Sequence, residues 1–292
     1  MGRVKRSDAH DAAGLVLRLA VLLQAGVTPG AAWRHLAESD PVAVRVCADV
    51  DAGTTVADAL RRGEGDGAWA QVGAAWEVAT TVGAPLAESL RTVAEALRDA
   101  HEAADDVRIA LAEPAGTARL MLWLPAVGAL LGVALGFDTL TVMFGSVGGI
   151  VCLVGGVALI LAARRWTGAL VRRAQPPGGI PGLHAELTAI ALSGGVSIDR
   201  ATTLVESTGT PAADGTTAVL ALSRTAGVPA VELLRAAAAH ERQTARTDGR
   251  LRAAALGGRL LLPLGVCTLP AFLLLGVAPL MISVLSSTSL PL

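Results

Sequence analysis

The sequence predicts an all-α membrane protein, with two homologous cytoplasmic helical-bundle modules and three transmembrane helices. Three observations carry this reading. The chain of 292 residues is 52% hydrophobic and 17% charged, against a charged share of about 25% in soluble domains. Long uncharged stretches run through Leu120–Phe137, through Thr139–Ala163, and onward from Leu260. One helical pattern occurs twice, once on each side of the first two stretches.

The first module is expected over residues 8–118. Leucines 15, 19, 22 and 23 follow i, i+4, i+7, i+8 and place one apolar stripe on a helix. Gly26-Val27 stops it; Thr28 can cap the next helix with Pro29 at its first position, and Ala32, Trp33 and Leu36 continue an apolar face. A further stop and cap occur at Gly53-Thr54-Thr55, followed by helices around Trp76 and from Pro85 to about Ala112.

The second module is expected over residues 164–258 and repeats the signals. Gly195-Val196-Ser197 answers Gly26-Val27-Thr28 at an offset of 169, and Gly227-Val228-Pro229 answers Gly83-Ala84-Pro85 at an offset of 144. The second copy is therefore 25 residues shorter, with no clear counterpart of the helix start at Asp51–Leu60.

Between the modules, residues 119–163 read as a transmembrane hairpin with spans near 120–137 and 140–163, turning at Phe137-Asp138-Thr139. At 1.5 Å per residue, 18 uncharged positions reach roughly 27 Å, close to the hydrocarbon thickness of a bilayer. A third span is expected over 259–285, with 286–292 as an external tail. Arg119, Arg164, Arg165, Arg172, Arg173, Arg250, Arg252 and Arg259 flank one side of these spans, so the N-terminus and both modules are expected in the cytoplasm and the C-terminus outside. Trp123 and Trp166 fall near that cytoplasmic interface. The polar start Met1–Asp8 lacks the apolar run of a secretory signal, so insertion is expected to rely on internal segments.

Gly128, Gly132 and Gly136 in the first span, and Gly145 and Gly149 in the second, remove side chains every fourth residue. They are candidates for a packing seam, although glycine is also simply frequent in transmembrane helices. Pro263, Pro270 and Pro279 imply kinks in the third span, whose freed carbonyls need other partners.

The polar chemistry argues against an enzyme. Lys5 is the one lysine and lies in no phosphate-binding loop, so any ATP hydrolysis is expected from a partner. Five scattered histidines and three distant cysteines, Cys47, Cys152 and Cys267, form no metal-ligand spacing. No catalytic, cofactor-binding or metal-binding residue is expected, and no cofactor. Tyrosine is absent, and residues 8–113 carry 17 acidic and 8 basic side chains, so nucleic acid is not an expected partner. Residues 164–259 reverse the balance, with 7 acidic and 12 basic. Arg61, Arg62, Glu64 and Asp66, in an expected loop, are candidates for docking a basic face of an ATPase; the plainer alternative is a solvated surface.

The order of helical module, membrane hairpin, second module and final span resembles the type II secretion system F family, inner-membrane platform proteins of secretion and pilus machines. The resemblance rests on Leu22-Leu23-Gln24-Ala25-Gly26-Val27, Gly83-Ala84-Pro85-Leu86 and the order of the repeats. Leu256–Leu264, Leu269-Pro270-Ala271-Phe272 and Val277-Ala278-Pro279 look like the Tad/Flp pilus branch. Trp76–Gly83 stands where secretion relatives carry a Gly-Glu-x-x-Gly string, which favours that branch. The resemblance implies a non-catalytic platform that couples a cytoplasmic secretion ATPase to pilin extrusion, with self-association or a second platform subunit. A small-solute transporter with internal repeats is the alternative, but transporters duplicate spans and place polar groups at the midplane, whereas here the repeated units are mainly cytoplasmic.

Overall fold

A computed structural model describes residues 7–63, 67–134, 147–174, 179–278 and 281. Among these the chain is helical throughout: α1 Ser7–Gln24, α2 Pro29–Ala37, α3 Pro41–Asp51, α4 Val56–Arg61, α5 Ala68–Val82, α6 Leu86–Ala134, α7 Val147–Ala174, α8 Leu183–Ser193, α9 Ile198–Ser207, α10 Asp214–Ala226 and α11 Ala230–Pro263. After α11 come two π-helical segments, Leu264–Thr268 and Leu273–Val277, on either side of the short α12, Leu269–Phe272.

Local chemistry sets the helix boundaries. Asp40 accepts a hydrogen bond from the Val42 N–H at 3.0 Å with Pro41 opening α3. Thr55 accepts from the Asp58 N–H at 3.1 Å, and its hydroxyl donates to the Asp58 carboxylate at 2.7 Å. This reciprocal cap satisfies two polar groups at the start of the six-residue α4. Thr28 occupies the extended cap position before α2, but its side chain makes no capping bond, in contrast to Ser197, which accepts from the Arg200 N–H at 3.4 Å.

The chain forms two compact units. The first comprises Met1–Ala104 and Pro177–Asp248; the second comprises Asp105–Pro176 and Gly249–Leu292. Helices of both repeat copies thus contribute to the first unit. The physical reason is a common core: Leu15, Leu19, Trp33, Leu60, Val72, Val78, Leu90 and Val93 of the first copy are buried in one cluster with Leu183, Leu187 and Ile190 of the second. The 25-residue difference between copies corresponds to α3 and α4, which lie between the equivalents of α9 and α10. Gly73 allows α4 to sit directly on α5, since a Cβ there would lie 2.8 Å from the Ala57 carbonyl oxygen.

In the second unit, two helices among the described residues are long and apolar enough to cross a membrane, Val147–Arg173 and the run that ends at Val277. The uncharged stretch Leu120–Phe137 continues α6 as helix to Ala134; its last residues and the turn at 137–139 lie outside the described residues. The kinks expected at Pro263 and Pro270 take the form of π-helix, while Pro279 lies outside the described residues. Proline has no N–H to donate and its ring crowds the carbonyl four residues back. Widening the helix relieves that crowding, and the π segments begin directly after Pro263 and surround Pro270.

Candidate functional site

The repeated turns have matching backbone geometry. Gly26 and Gly195 both adopt the left-handed conformation, at φ 87° and 82°, as do Gly83 and Gly227 at φ 73° and 68°. A side chain is strained at such φ values, so glycine recurs at these helix stops. Val27 and Val196 pack, half-buried, on the same core. Pro29 opens α2. Pro85 accepts both the Ser89 N–H at 3.0 Å and its hydroxyl at 2.9 Å, whereas Pro229 accepts the Leu233 N–H at 3.5 Å. The turns are scaffold; what they position is the junction of the copies.

At the centre of that junction lies α8. Every residue from Leu183 to Ala191 is buried. Leu183, Leu187 and Ile190 join the core of the first copy, while Ala185 and Ala189 join a second cluster with Leu220, Leu234 and Ala238. Two glycines let backbones meet here. A Cβ on Gly194 would lie 2.4 Å from Val82 Cγ2, and one on Gly182 would lie 2.7 Å from Ala238 Cα.

The same helix carries three buried polar side chains, His184, Glu186 and Thr188. Thr188 donates to the His184 carbonyl at 2.7 Å, and His184 Nδ1 lies 3.0 Å from Thr216 Oγ1. Glu186 Oε2 accepts from Arg242 Nη1 at 3.3 Å. Arg242 Nε lies 3.3 Å from Asp99 Oδ2 without the alignment of a hydrogen bond. Glu186 Oε1 and His184 Nε2 are buried with no hydrogen-bond partner among the described residues. Burial pushes the Glu186 carboxyl above the usual glutamate range, outweighing the pull of Arg242. Burial likewise holds the His184 imidazole below its usual range, against the opposing fields of Glu206 and Glu241.

Around this centre, acids on α6 face arginines on α11. In the first unit Glu88 pairs with Arg235 at 2.9 Å, Asp99 with Arg242 at 3.3 Å and Glu102 with Arg246 at 3.9 Å. Both numbers rise together, so the two helices run parallel with repeat-equivalent positions opposite each other. Within the second unit Asp106 pairs with Arg250 at 2.9 Å, and Val107 packs with Ala253, Leu256 and Leu260. The opposite net charges of the two copies, visible in the sequence, thus meet across this helix pair.

In the second unit α7 packs on the π-helical run. Gly149, Gly156 and Ala163 are buried and recur every seven residues, which keeps them on one face. A Cβ on Gly156 would lie 2.4 Å from Leu275 Cγ. Gly149 was a candidate from sequence; Gly156 was not, although its seven-residue spacing from Gly149 could have found it. Gly128 and Gly132 lie in α6, and Gly136 and Gly145 lie outside the described residues.

The candidate docking loop divides. Arg61 is held by Asp58 at 3.0 Å and by Glu77, tying α4 to α5, and Arg62 donates to Thr54 Oγ1 at 3.3 Å. Glu64 and Asp66 lie outside the described residues. Sequence reasoning weighed His184-Ala185-Glu186 only as a metal-ligand set, which it does not make, and missed the pairing of Glu186 with Arg242; the signal was the one carboxylate in the run from Leu183 to Leu192. No group of His, Cys, Asp or Glu suited to a metal occurs among the described residues. No curated protein matches the chain. Residues 15–134 match the family model described as Type II secretion system (T2SS), protein F.

Proposed function

We propose that this chain is a non-catalytic inner-membrane platform subunit of a Tad/Flp-type, type IV-like pilus assembly or secretion machine. The observation that carries the reading is the match of residues 15–134 to the type II secretion F family, in a chain that also holds two helices long and apolar enough to cross a membrane. Proteins of that family are in general inner-membrane platforms without catalytic activity. The Tad/Flp assignment rests on the segments around Leu256–Pro279 and on Trp76–Gly83.

In this reading a cytoplasmic secretion ATPase engages the helical unit, and the platform passes motion to pilin subunits leaving the bilayer. The helical unit suits such a load. The two copies are joined by a common core and by arginine–carboxylate pairs along two parallel helices, so force on one copy reaches the other through packed side chains rather than a linker. Three spans with an external C-terminus belong to the same proposal, as do self-association or a second platform subunit.

Co-purification of the tagged protein from its native membrane in mild detergent, with mass spectrometry of the retained proteins, tests it. Recovery of a secretion ATPase with a pilin or a second platform subunit is expected. Recovery of none of these, together with stabilisation by a small solute, contradicts it and favours a transporter.

A further inference from the structure

The junction inside the chain is built from two faces, and the repeat leaves an equivalent pair of faces uncovered. On the first copy the face belongs to α5, where Ala75 and Val78 are buried in the common core and Val82 meets Gly194. On the second copy it belongs to α8, through Leu183, Leu187 and Ile190. The offset of 144 carries Ala75, Val78 and Val82 onto Val219, Leu222 and Ala226 of α10. The offset of 169 carries Leu183, Ile190 and Gly194 onto Gly14, Val21 and Ala25 in and just after α1. Five of these six equivalents face solvent: Val21 is 50% and Leu222 53% exposed, and Gly14, Ala25 and Ala226 are exposed, while Val219 is half-buried against the cluster of Leu220 and Leu234.

We infer that α1 of one chain packs on α10 of a second copy of this chain, repeating between chains the α5–α8 contact made within one. The sizes agree. Where the internal junction sets valine 82 against glycine 194, the free faces offer alanine at both positions, 226 and 25. Ile190 and Val78, both in the common core, become Val21 and Leu222. Arg18 replaces Leu187 on this face, and its guanidinium is already drawn aside by Asp40 at 3.3 Å.

A contact between unlike faces is heterologous and leaves one face free at each end, so it extends until a ring closes or a filament forms. The parallel course of α6 and α11 is compatible with this. The relation between copies preserves the direction of the long helices, as repetition within a single membrane requires. The inference deepens the self-association of the pilus reading, but its support is only the repeat and the exposure, so the crosslinks can fail or form whatever partners co-purify.

Disulfide trapping in native membranes tests it, using full-length chains in which Cys47, Cys152 and Cys267 are replaced by serine. Two differently tagged chains, one carrying Val21→Cys and the other Leu222→Cys, are co-expressed and oxidised. A crosslinked dimer holding both tags is expected, with each variant alone remaining uncrosslinked. A chain with both substitutions should give dimers and higher multimers. Crosslinks between like positions, a bond confined to one chain, or no interchain bond would overturn the inference. Ala226→Arg, at an exposed position on the same face, added to the chain that carries both cysteines, should abolish the crosslinked multimers while leaving the thermal unfolding of the chain unchanged; multimers that persist would also overturn it.

Discussion

Helices α1 and α8 sit at the same place in the repeat and end in the same Gly-Val turn, yet one is a surface helix and the other is enclosed. In α1 the buried residues Leu15, Val16 and Leu19 form one stripe, with Leu17, Arg18 and Val21 outside it. In α8 burial runs unbroken from Leu183 to Ala191. The turn chemistry of the two copies is alike; the difference lies at the outward positions, where Arg18 became Leu187 and Gly14 became Leu183. A duplicated helix can therefore keep its boundaries while a few substitutions move it from surface to core.

The largest test of that contrast exchanges the outward residues. Leu187→Arg would bury an unpaired charge at a fully enclosed site, and by the cost of an uncompensated buried charge it should destabilise the helical unit by about 3–5 kcal/mol. The reciprocal Arg18→Leu removes only an exposed pair with Asp40 and should change stability by less than about 1 kcal/mol. Thermal unfolding in detergent compares them; equal effects would mean that α1 and α8 are not differently buried.

A second pair of variants addresses close approach. Gly194→Ala pushes a methyl against Val82, including its carbonyl oxygen at 2.7 Å, and overpacking of this kind costs about 1–3 kcal/mol. Gly14→Ala meets nothing within 4 Å and, in a helix interior, should be stabilising by about 0.5–1 kcal/mol. The same logic applies within the second unit: Gly156→Ala should destabilise, since its Cβ would lie 2.4 Å from Leu275, while Gly155→Ala, 3.5 Å from Leu274, should be tolerated.

A smaller effect concerns pH. Because burial raises the Glu186 carboxyl pKa in the fold, the folded chain keeps that proton to higher pH than the unfolded chain does. Its stabilising contribution is full below the ordinary glutamate pKa and is lost as pH rises through the raised value. His184 acts in the opposite direction: its lowered pKa contributes stability above the ordinary histidine value, which is lost as pH falls through the lowered one. Glu186→Gln should remove the first slope and leave the second, measured as unfolding temperature against pH. A slope unchanged in the variant would show that Glu186 is not the group responsible.

The smallest expected difference separates the two caps. Ser197 makes its capping bond and Thr28 does not, so Ser197→Ala should cost about 0.5–1 kcal/mol and Thr28→Ala less. Equal losses in thermal unfolding would contradict that distinction.

Much of the local structure was legible in the sequence. The stops at Gly26, Gly83, Gly195 and Gly227, and the start of α2 at Pro29, rest on short-range rules of backbone conformation. The shared core was not legible, because Leu183 and Leu187 read equally well as the inner stripe of a separate small bundle. Periodicity reports that a face is apolar and does not report what covers it. Glu186 escaped for a related reason: its partner Arg242 lies 56 residues after it. Gly156 lay outside the four-residue spacing considered for the spans, whereas the packed face follows the seven-residue period of helices that wind around one another.

Hydrogen exchange of backbone amides in the detergent-solubilised protein tests the central claim most directly, that the first copy encloses α8 in a common core. Amides of Leu187–Ser193 should exchange only on opening of the whole helical unit, and Val82→Asp at the end of α5 should speed their exchange by orders of magnitude. Exchange of α8 that is as fast as in the last turn of α1, or unaffected by Val82→Asp, would contradict the shared core.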